Sequence, residues 1–377
     1  MKRILVISRE YPPSLGGAGI AMHNYIKKIK SYKFTVLSFF NPVFSNENIK
    51  IKKLKNPFWG HRYISAMLFI FSSLFDSLRH FDCIVSNAFV GAATGTIAKI
   101  LTGKKLISII HDVDYLYGPL CKYNFLNKFV RKVIFKLIFS LSDVVIVPNA
   151  IIKKEIIKIF GRDIGKKIHV ITLGVDIEPF KKIRKPRRKT LILCVAAVRK
   201  NKGIEYLIRG FKKVVDKFPK SELWIAGTIM EHDYYLMLEK LIRDLGIDNK
   251  VRFLGPIVHF GKKNVFSYYD ICDIFAITSY HSERFGIPCV EASLMGKPIV
   301  ATDVFEENGV IVNGKTALVV PKRNSKAVGN AIIRLLNNRK LREKLGKGAK
   351  EYAERFKTSH LAKEFESIIE KTINSNA

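Results

Sequence analysis

The amino-acid sequence predicts an α/β fold with two parallel-sheet domains, and three observations carry that prediction. Strand, loop and helix patterns alternate through both halves of the chain. The strands are short apolar runs rich in branched residues, as expected of strands buried on both faces. A chain of 377 residues with 48% hydrophobic content has length enough for two cores of ordinary size.

The first strand, residues 3–8, opens almost at the N-terminus; its apolar run is too short for a signal peptide. A helix is expected over 19–29, then strands at 34–38, 83–86, 105–110 and 144–147, separated by helical stretches. The longest apolar segment, 63–74, lies between Arg62 and Asp76. That is well short of the roughly 20 residues a spanning helix needs, so none is expected. The second half reads as strands at 191–198, 222–227, 251–254, 274–278, 298–302 and 317–320, with helices at 204–217, 234–245 and 326–336. Two further helices, 339–355 and 359–374, end the chain. The implied domains are 1–180, a basic linker at 181–189, 190–358, and a closing helical segment 359–377. No internal repeat interrupts this plan.

Five cysteines, at 83, 121, 194, 272 and 289, are scattered without Cys-x-x-Cys or ligand spacing, which implies a reduced, cytoplasmic protein without a structural metal. The formal charge of +33 implies phosphate-bearing partners. It is concentrated in two places. One is Lys181-Lys-Ile-Arg-Lys-Pro-Arg-Arg-Lys189, read as the linker. The other is the segment 124–141, where Leu126, Val130, Val133, Ile134, Leu137 and Leu141 form an apolar stripe expected to face the core. Its opposite face holds Lys128, Arg131, Lys132 and Lys136, with Phe135 and Phe139 among them. Exposed aromatics between cations suit a helix lying on an anionic membrane surface, against the alternative of an ordinary solvated face.

The most informative stretch is His281-Ser-Glu-Arg-Phe-Gly-Ile-Pro-Cys-Val-Glu291, followed by Gly296 and Pro298. It places Glu283 on a turn and Glu291 eight residues later. Between them Phe285-Gly286-Ile287-Pro288 reads as a helix entry, with proline where a missing N–H costs nothing and glycine where backbone must come close. Amides at a helix start, helped by the helix dipole, attract phosphate. Glu291, about one and a half turns in, is placed to accept hydrogen bonds from a ribose diol. The stretch lies between two expected parallel strands, where open α/β sheets bind nucleotides.

These residues resemble the retaining glycosyltransferases of family 4, whose hallmark is two glutamates in Glu-x-Phe-Gly-x-Pro-x-x-Glu-Ala. Glu283, Phe285, Gly286, Pro288, Glu291 and Ala292 match it. The resemblance implies the GT-B form of the α/β fold: two Rossmann-like parallel-sheet domains facing a central cleft, with the C-terminal helix crossing back to the first. It also implies a nucleoside diphosphate sugar donor, linked to UDP, GDP or a similar nucleotide, and no metal or other cofactor. In that scheme Glu291 holds the ribose, while Glu283 and the amides around Phe285, Gly286 and Ile287 hold the donor sugar.

Lys202-Gly203 matches the family's Lys-Gly, whose cation meets the diphosphate. The accompanying arginine is replaced by Ala197, and Arg199 stands two residues on as the candidate substitute. A second departure follows Thr302, where Phe305-Glu-Glu-Asn-Gly309 replaces the usual Gly-Gly-x-Pro-Glu. His111, after the strand at 105–110, corresponds to a histidine that faces the donor sugar. The first loop carries Tyr11-Pro-Pro and Gly16-Gly17, similar to the loop that closes over donor and acceptor. Its glycines allow backbone to approach a phosphate, but Met22 stands where a dinucleotide fingerprint needs its third glycine. Asp112-Val-Asp114 mimics the metal motif of the other large glycosyltransferase fold and is read as a decoy.

The expected activity is hexosyl transfer with retention, metal-independent, with Lys202, His111 and Glu283 as catalytic residues and a lipid-linked or cell-surface glycan as acceptor. The expected place is the cytoplasm, peripheral on the inner face of the membrane. A sugar-nucleotide epimerase of the same fold is the alternative. A nucleic-acid-binding protein would also suit the charge, but no recognition signature for nucleic acid appears, so no nucleic-acid partner is expected.

Overall fold

The structure is a computed structural model that describes residues 1–12, 17–39, 47–55, 62–113, 125–186, 189–257, 264–281 and 285–375. The chain divides into two compact units, Met1–Gly174 with Thr358–Ala377, and Val175–Lys357. All strand pairs in both are parallel.

The first unit holds a seven-stranded sheet in the order β3-β2-β1-β4-β5-β6-β7, built from β1 (Arg3–Ser8), β2 (Lys33–Ser38), β3 (Ile49–Lys53), β4 (Cys83–Asn87), β5 (Lys105–Ile109), β6 (Val144–Val147) and β7 (Ile168–Val170). Ile4, Leu5, Val6 and Ile7 have no exposed surface, because helices cover both faces of the sheet. The C-terminal helix Thr358–Asn374 belongs to this unit, and Phe365 stacks on Tyr25 at 5.2 Å between ring centroids. The edge strands β3 and β7 have no counterpart in the sequence reading. β3 is Ile-Lys-Ile-Lys-Lys, three of five residues charged and largely solvated, so it lacks the apolar run of its neighbours.

The second unit holds a six-stranded sheet in the order β10-β9-β8-β11-β12-β13, from β8 (Thr190–Val195), β9 (Ser221–Ala226), β10 (Val251–Gly255), β11 (Ile274–Ile277), β12 (Ile299–Thr302) and β13 (Ala317–Val320). Helix Ile204–Lys217 buries Ile204, Leu207, Ile208, Phe211 and Val214, a stripe at helical spacing. It crosses helix Ser325–Asn337 at Gly210 and Gly329, where a Cβ on Gly210 would stand 2.7 Å from the Ser325 carbonyl oxygen.

Within the stretch expected as a linker, Lys185 holds both oxygens of Asp273 at 2.6 Å, and Lys189 pairs with Glu222. Glu222 is 1% exposed. Burial pushes its carboxyl up, but the Lys189 and Trp224 hydrogen bonds more than offset that and leave it below its usual range. In helix Phe125–Leu141, Phe135 and Phe139 are fully buried, while Val130, Val133 and Leu137 are exposed. The core selects the larger rings, so the expected faces are exchanged.

Candidate functional site

In the second sheet β8 and β11 are neighbours although the chain leaves them toward opposite edges, so the loops after them part at their C-terminal ends. Such a switch point is where open α/β sheets bind ligands. The loop after β8 carries Arg199, Asn201 and Lys202; the loop after β11 leads to Phe285 and Gly286. Hydrogen bonds to backbone carbonyls tie them together. The Tyr280 amide donates to the Asn201 carbonyl at 3.2 Å, and the Thr278 hydroxyl to the Gly203 carbonyl at 2.9 Å. Gly203 has φ +61°, and a Cβ there would stand 2.3 Å from the Thr278 carbonyl oxygen, so glycine is what lets the loops meet.

Lys202 ends the short 3-10 turn Lys200–Lys202 and is half-buried. Burial pushes the nearby Cys194 thiol up to about 12, against the opposing pull of the Lys202 cation. Arg199 precedes the turn, and its Nε is buried without a hydrogen-bond partner; so is Oδ1 of Asn201. A buried polar atom left in this way costs about 1–3 kcal/mol. One atom is a donor and the other an acceptor.

The β11 loop leads into helix Ile287–Leu294, with Gly286 as N-cap at φ +91° and proline in the first turn. A Cβ on Gly286 would stand 2.8 Å from the Phe305 ring. Phe305 lies on the short helix Asp303–Glu307, so the segment that departs from the family pattern forms a wall behind this glycine. Pro288 has no N–H, and the Cys289 amide donates to the Gly286 carbonyl at 2.9 Å. The amides this end can offer an anion are therefore those of Gly286 and Ile287, fewer than a full helix start supplies. Phe285 is buried with its ring against Phe356. Glu291 is 1% exposed, and the Tyr269 hydroxyl donates to its Oε2 at 2.9 Å. Burial and the Glu291 charge hold that hydroxyl well above its ordinary pKa, so it remains a donor.

The first unit has its own switch point, between β1 and β4. His111 follows β5, 6% exposed, with Nε2 2.8 Å from Oδ1 of Asn87 at the end of β4. Asn87 donates through Nδ2 to Oγ of Ser8 at 2.9 Å and to the Ala18 carbonyl at 3.1 Å. Its Oδ1 is thus the accepting side, and His111 carries its proton on Nε2. The next residue, Ala88, has φ +59°, a left-handed strain of about 1–2 kcal/mol for a residue with a Cβ. Gly17 begins helix Gly17–Ile26.

The expected residues therefore form two groups: Arg199, Lys202, Phe285, Gly286, Ile287 and Glu291 in the second unit, and Gly17 and His111 in the first. Gly16, Glu283 and Asp114 lie outside the described residues. Tyr269, Asn201 and Asn87 were not singled out from sequence. Asn87 carried one signal, a polar side chain closing the apolar run of β4; Tyr269 carried none.

Two family models match the chain: "Glycosyl transferases group 1" over residues 176–352 and "Glycosyltransferase Family 4" over 15–179. The chain is 27% identical to an uncharacterized glycosyltransferase of Methanocaldococcus jannaschii over 281 residues, 72% of this chain and 69% of the relative. It is 28% identical to the D-inositol 3-phosphate glycosyltransferase of Corynebacterium diphtheriae over 189 residues, 48% of this chain and 43% of that protein. The crystal structure of Anabaena HepE in complex with UDP-glucose superposes with a TM-score of 0.81 at 20% identity, covering 98% of this chain and all of the other. That likeness shows the GT-B fold.

Proposed function

The chain belongs to the glycosyl transferases group 1 family, and from that premise we propose that it moves a sugar from a nucleoside diphosphate sugar to an acceptor hydroxyl with retention at the anomeric carbon. The observation that carries the reading is the junction at Gly203 and Thr278, which brings the Arg199–Lys202 cations to the loop leading into the Glu291 helix. A diphosphate fits the cations, and a ribose diol fits a buried carboxylate. UDP-linked sugars are the first donors to try, since the Anabaena protein of the same fold was crystallised with UDP-glucose.

In this reaction the bond from the anomeric carbon to the diphosphate oxygen breaks. The acceptor oxygen bonds to that carbon on the same face, and its proton passes to the departing phosphate oxygen. Lys202 and Arg199 meet the growing negative charge, worth several kcal/mol in a site of this kind. The amides of Gly286 and Ile287 add to that, Glu291 anchors the ribose, and no metal enters the scheme. Glu283 is assigned to the donor sugar by its place in the motif. His111, held by Asn87 in one tautomer, is assigned to sugar hydroxyls at the first unit's switch point. The acceptor is a lipid-linked or cell-surface glycan, supported by the charge of +33.

Incubation with a panel of nucleotide sugars, following release of free nucleotide, tests the activity. One donor is expected to be turned over, Glu291→Ala and Lys202→Ala to abolish it, and the product to keep the donor's anomeric configuration. Unchanged turnover in both variants, or an inverted product, would overturn the proposal.

A further inference from the structure

Helices Arg62–Ser77, Ala88–Thr102 and Phe125–Leu141 lie side by side over one face of the first sheet. Their inner sides are filled by Phe69, Ala98, Phe135, Ile138 and Phe139. Their outer sides should then be polar, and they are not. Met67, Phe71 and Phe75 are 57%, 60% and 78% exposed, one helical turn apart, and Leu78 continues the stripe. On the middle helix Ile100 and Leu101 are exposed, and on the third Phe129 and Leu137. A contiguous apolar surface of this kind marks an interaction site.

Charge decides what covers it. The third helix carries Lys128, Arg131, Lys132 and Lys136 and no carboxylate. The one acid on the three helices, Asp76, is 5% exposed and paired with Lys52 at 2.7 Å. A second copy of this chain would bring the same cations to the same surface. An anionic bilayer meets both features, headgroups for the lysines and acyl chains for the aromatic stripe. Among the described residues no helix is long and apolar enough to cross a membrane, so the contact is interfacial.

We propose that the outer face of these three helices docks on an anionic lipid surface, with Phe71 and Phe75 entering the acyl boundary and Lys132 and Lys136 meeting headgroups. This deepens the proposed function, on which the lipid-borne acceptor rests, but docking itself is read without donor or acceptor. The test is sedimentation of the full chain with vesicles of phosphatidylcholine alone or mixed with phosphatidylglycerol, at low and high salt. Wild type is expected to pellet with the mixed vesicles at low salt only. Phe71→Ser with Phe75→Ser, and separately Lys132→Glu with Lys136→Glu, should each lower the partition at least about tenfold. Nucleotide release without vesicles should be unchanged in both, so a failure of docking is separable from a failure of the catalytic reading. Absence of wild-type pelleting would overturn the proposal. So would indifference to both pairs, or a dimer that the serine pair dissociates in a chain that ignores vesicles.

Discussion

Tyr269 and Glu291, 22 residues apart in sequence, share a hydrogen bond of 2.9 Å between side chains that are both buried. A buried carboxylate needs its donors, and removing one costs about 1–3 kcal/mol. Tyr269→Phe should lower thermal stability by that amount and weaken donor binding about tenfold, because Glu291 loses a group that fixes its orientation. In a Glu291→Ala background the same change should have little further effect on binding, since the two act as a unit. Calorimetric titration of the four proteins checks this; additive losses would separate the tyrosine from the carboxylate.

Arg199 and Lys202 are expected to differ in replaceability. Loss of a group aimed at developing charge costs about 100-fold in rate. Lys202→Ala should lose at least that much in kcat, with Lys202→Arg recovering part of it. Arg199→Ala should lose about tenfold, and Arg199→Lys should recover little, since the buried unpartnered atom is Nε, which lysine lacks. Turnover measured as nucleotide release distinguishes these outcomes. Full activity in Arg199→Ala would leave the role of the absent arginine at Ala197 to another cation.

The contrast between two glycines tests whether the loop junction matters to function. Gly203 and Gly246 both have positive φ, +61° and +63°, but only Gly203 faces a close neighbour, the Thr278 carbonyl oxygen. Gly246→Ala should cost about 1 kcal/mol of strain and leave turnover intact. Gly203→Ala adds a clash with backbone, so it should cost more stability and lower kcat/KM about tenfold by moving the Lys202 turn away from Thr278. Thermal unfolding and nucleotide release on both variants decide it; equal effects would make Gly203 an ordinary turn glycine.

What was legible in the sequence follows from the same physics. The strands beside the switch points are continuous apolar runs because both faces are covered, and the Glu291 motif was readable because its parts are contiguous. The partners of Lys185 and Lys189 were not, since Asp273 and Glu222 lie 88 and 33 residues away. A stretch of nine residues with seven cations then reads as solvated chain. Helix Phe125–Leu141 misled for another reason: it contains only apolar, basic, Asn and Ser residues, so two apolar arcs compete and periodicity alone does not choose. The sheet surface chose Phe135 and Phe139.

The pH dependence of folding should carry the mark of His23. Its ring is 7% exposed, with Nδ1 2.9 Å from the Tyr11 hydroxyl, and burial together with the Lys27 charge lowers its pKa from 6.5 to about 4. The unfolded chain therefore binds a proton between those values where the folded chain does not. Stability from this group is fully present above pH 6.5 and is lost as pH falls toward 4, at up to about 1.4 kcal/mol per pH unit. His23→Gln keeps an acceptor for Tyr11 and removes the titration. Urea unfolding followed across this acid range should show a steeper loss for wild type than for the variant. Parallel losses would mean that His23 is protonated in the folded state and that its surroundings are wetter than the packing of Tyr11 against it implies.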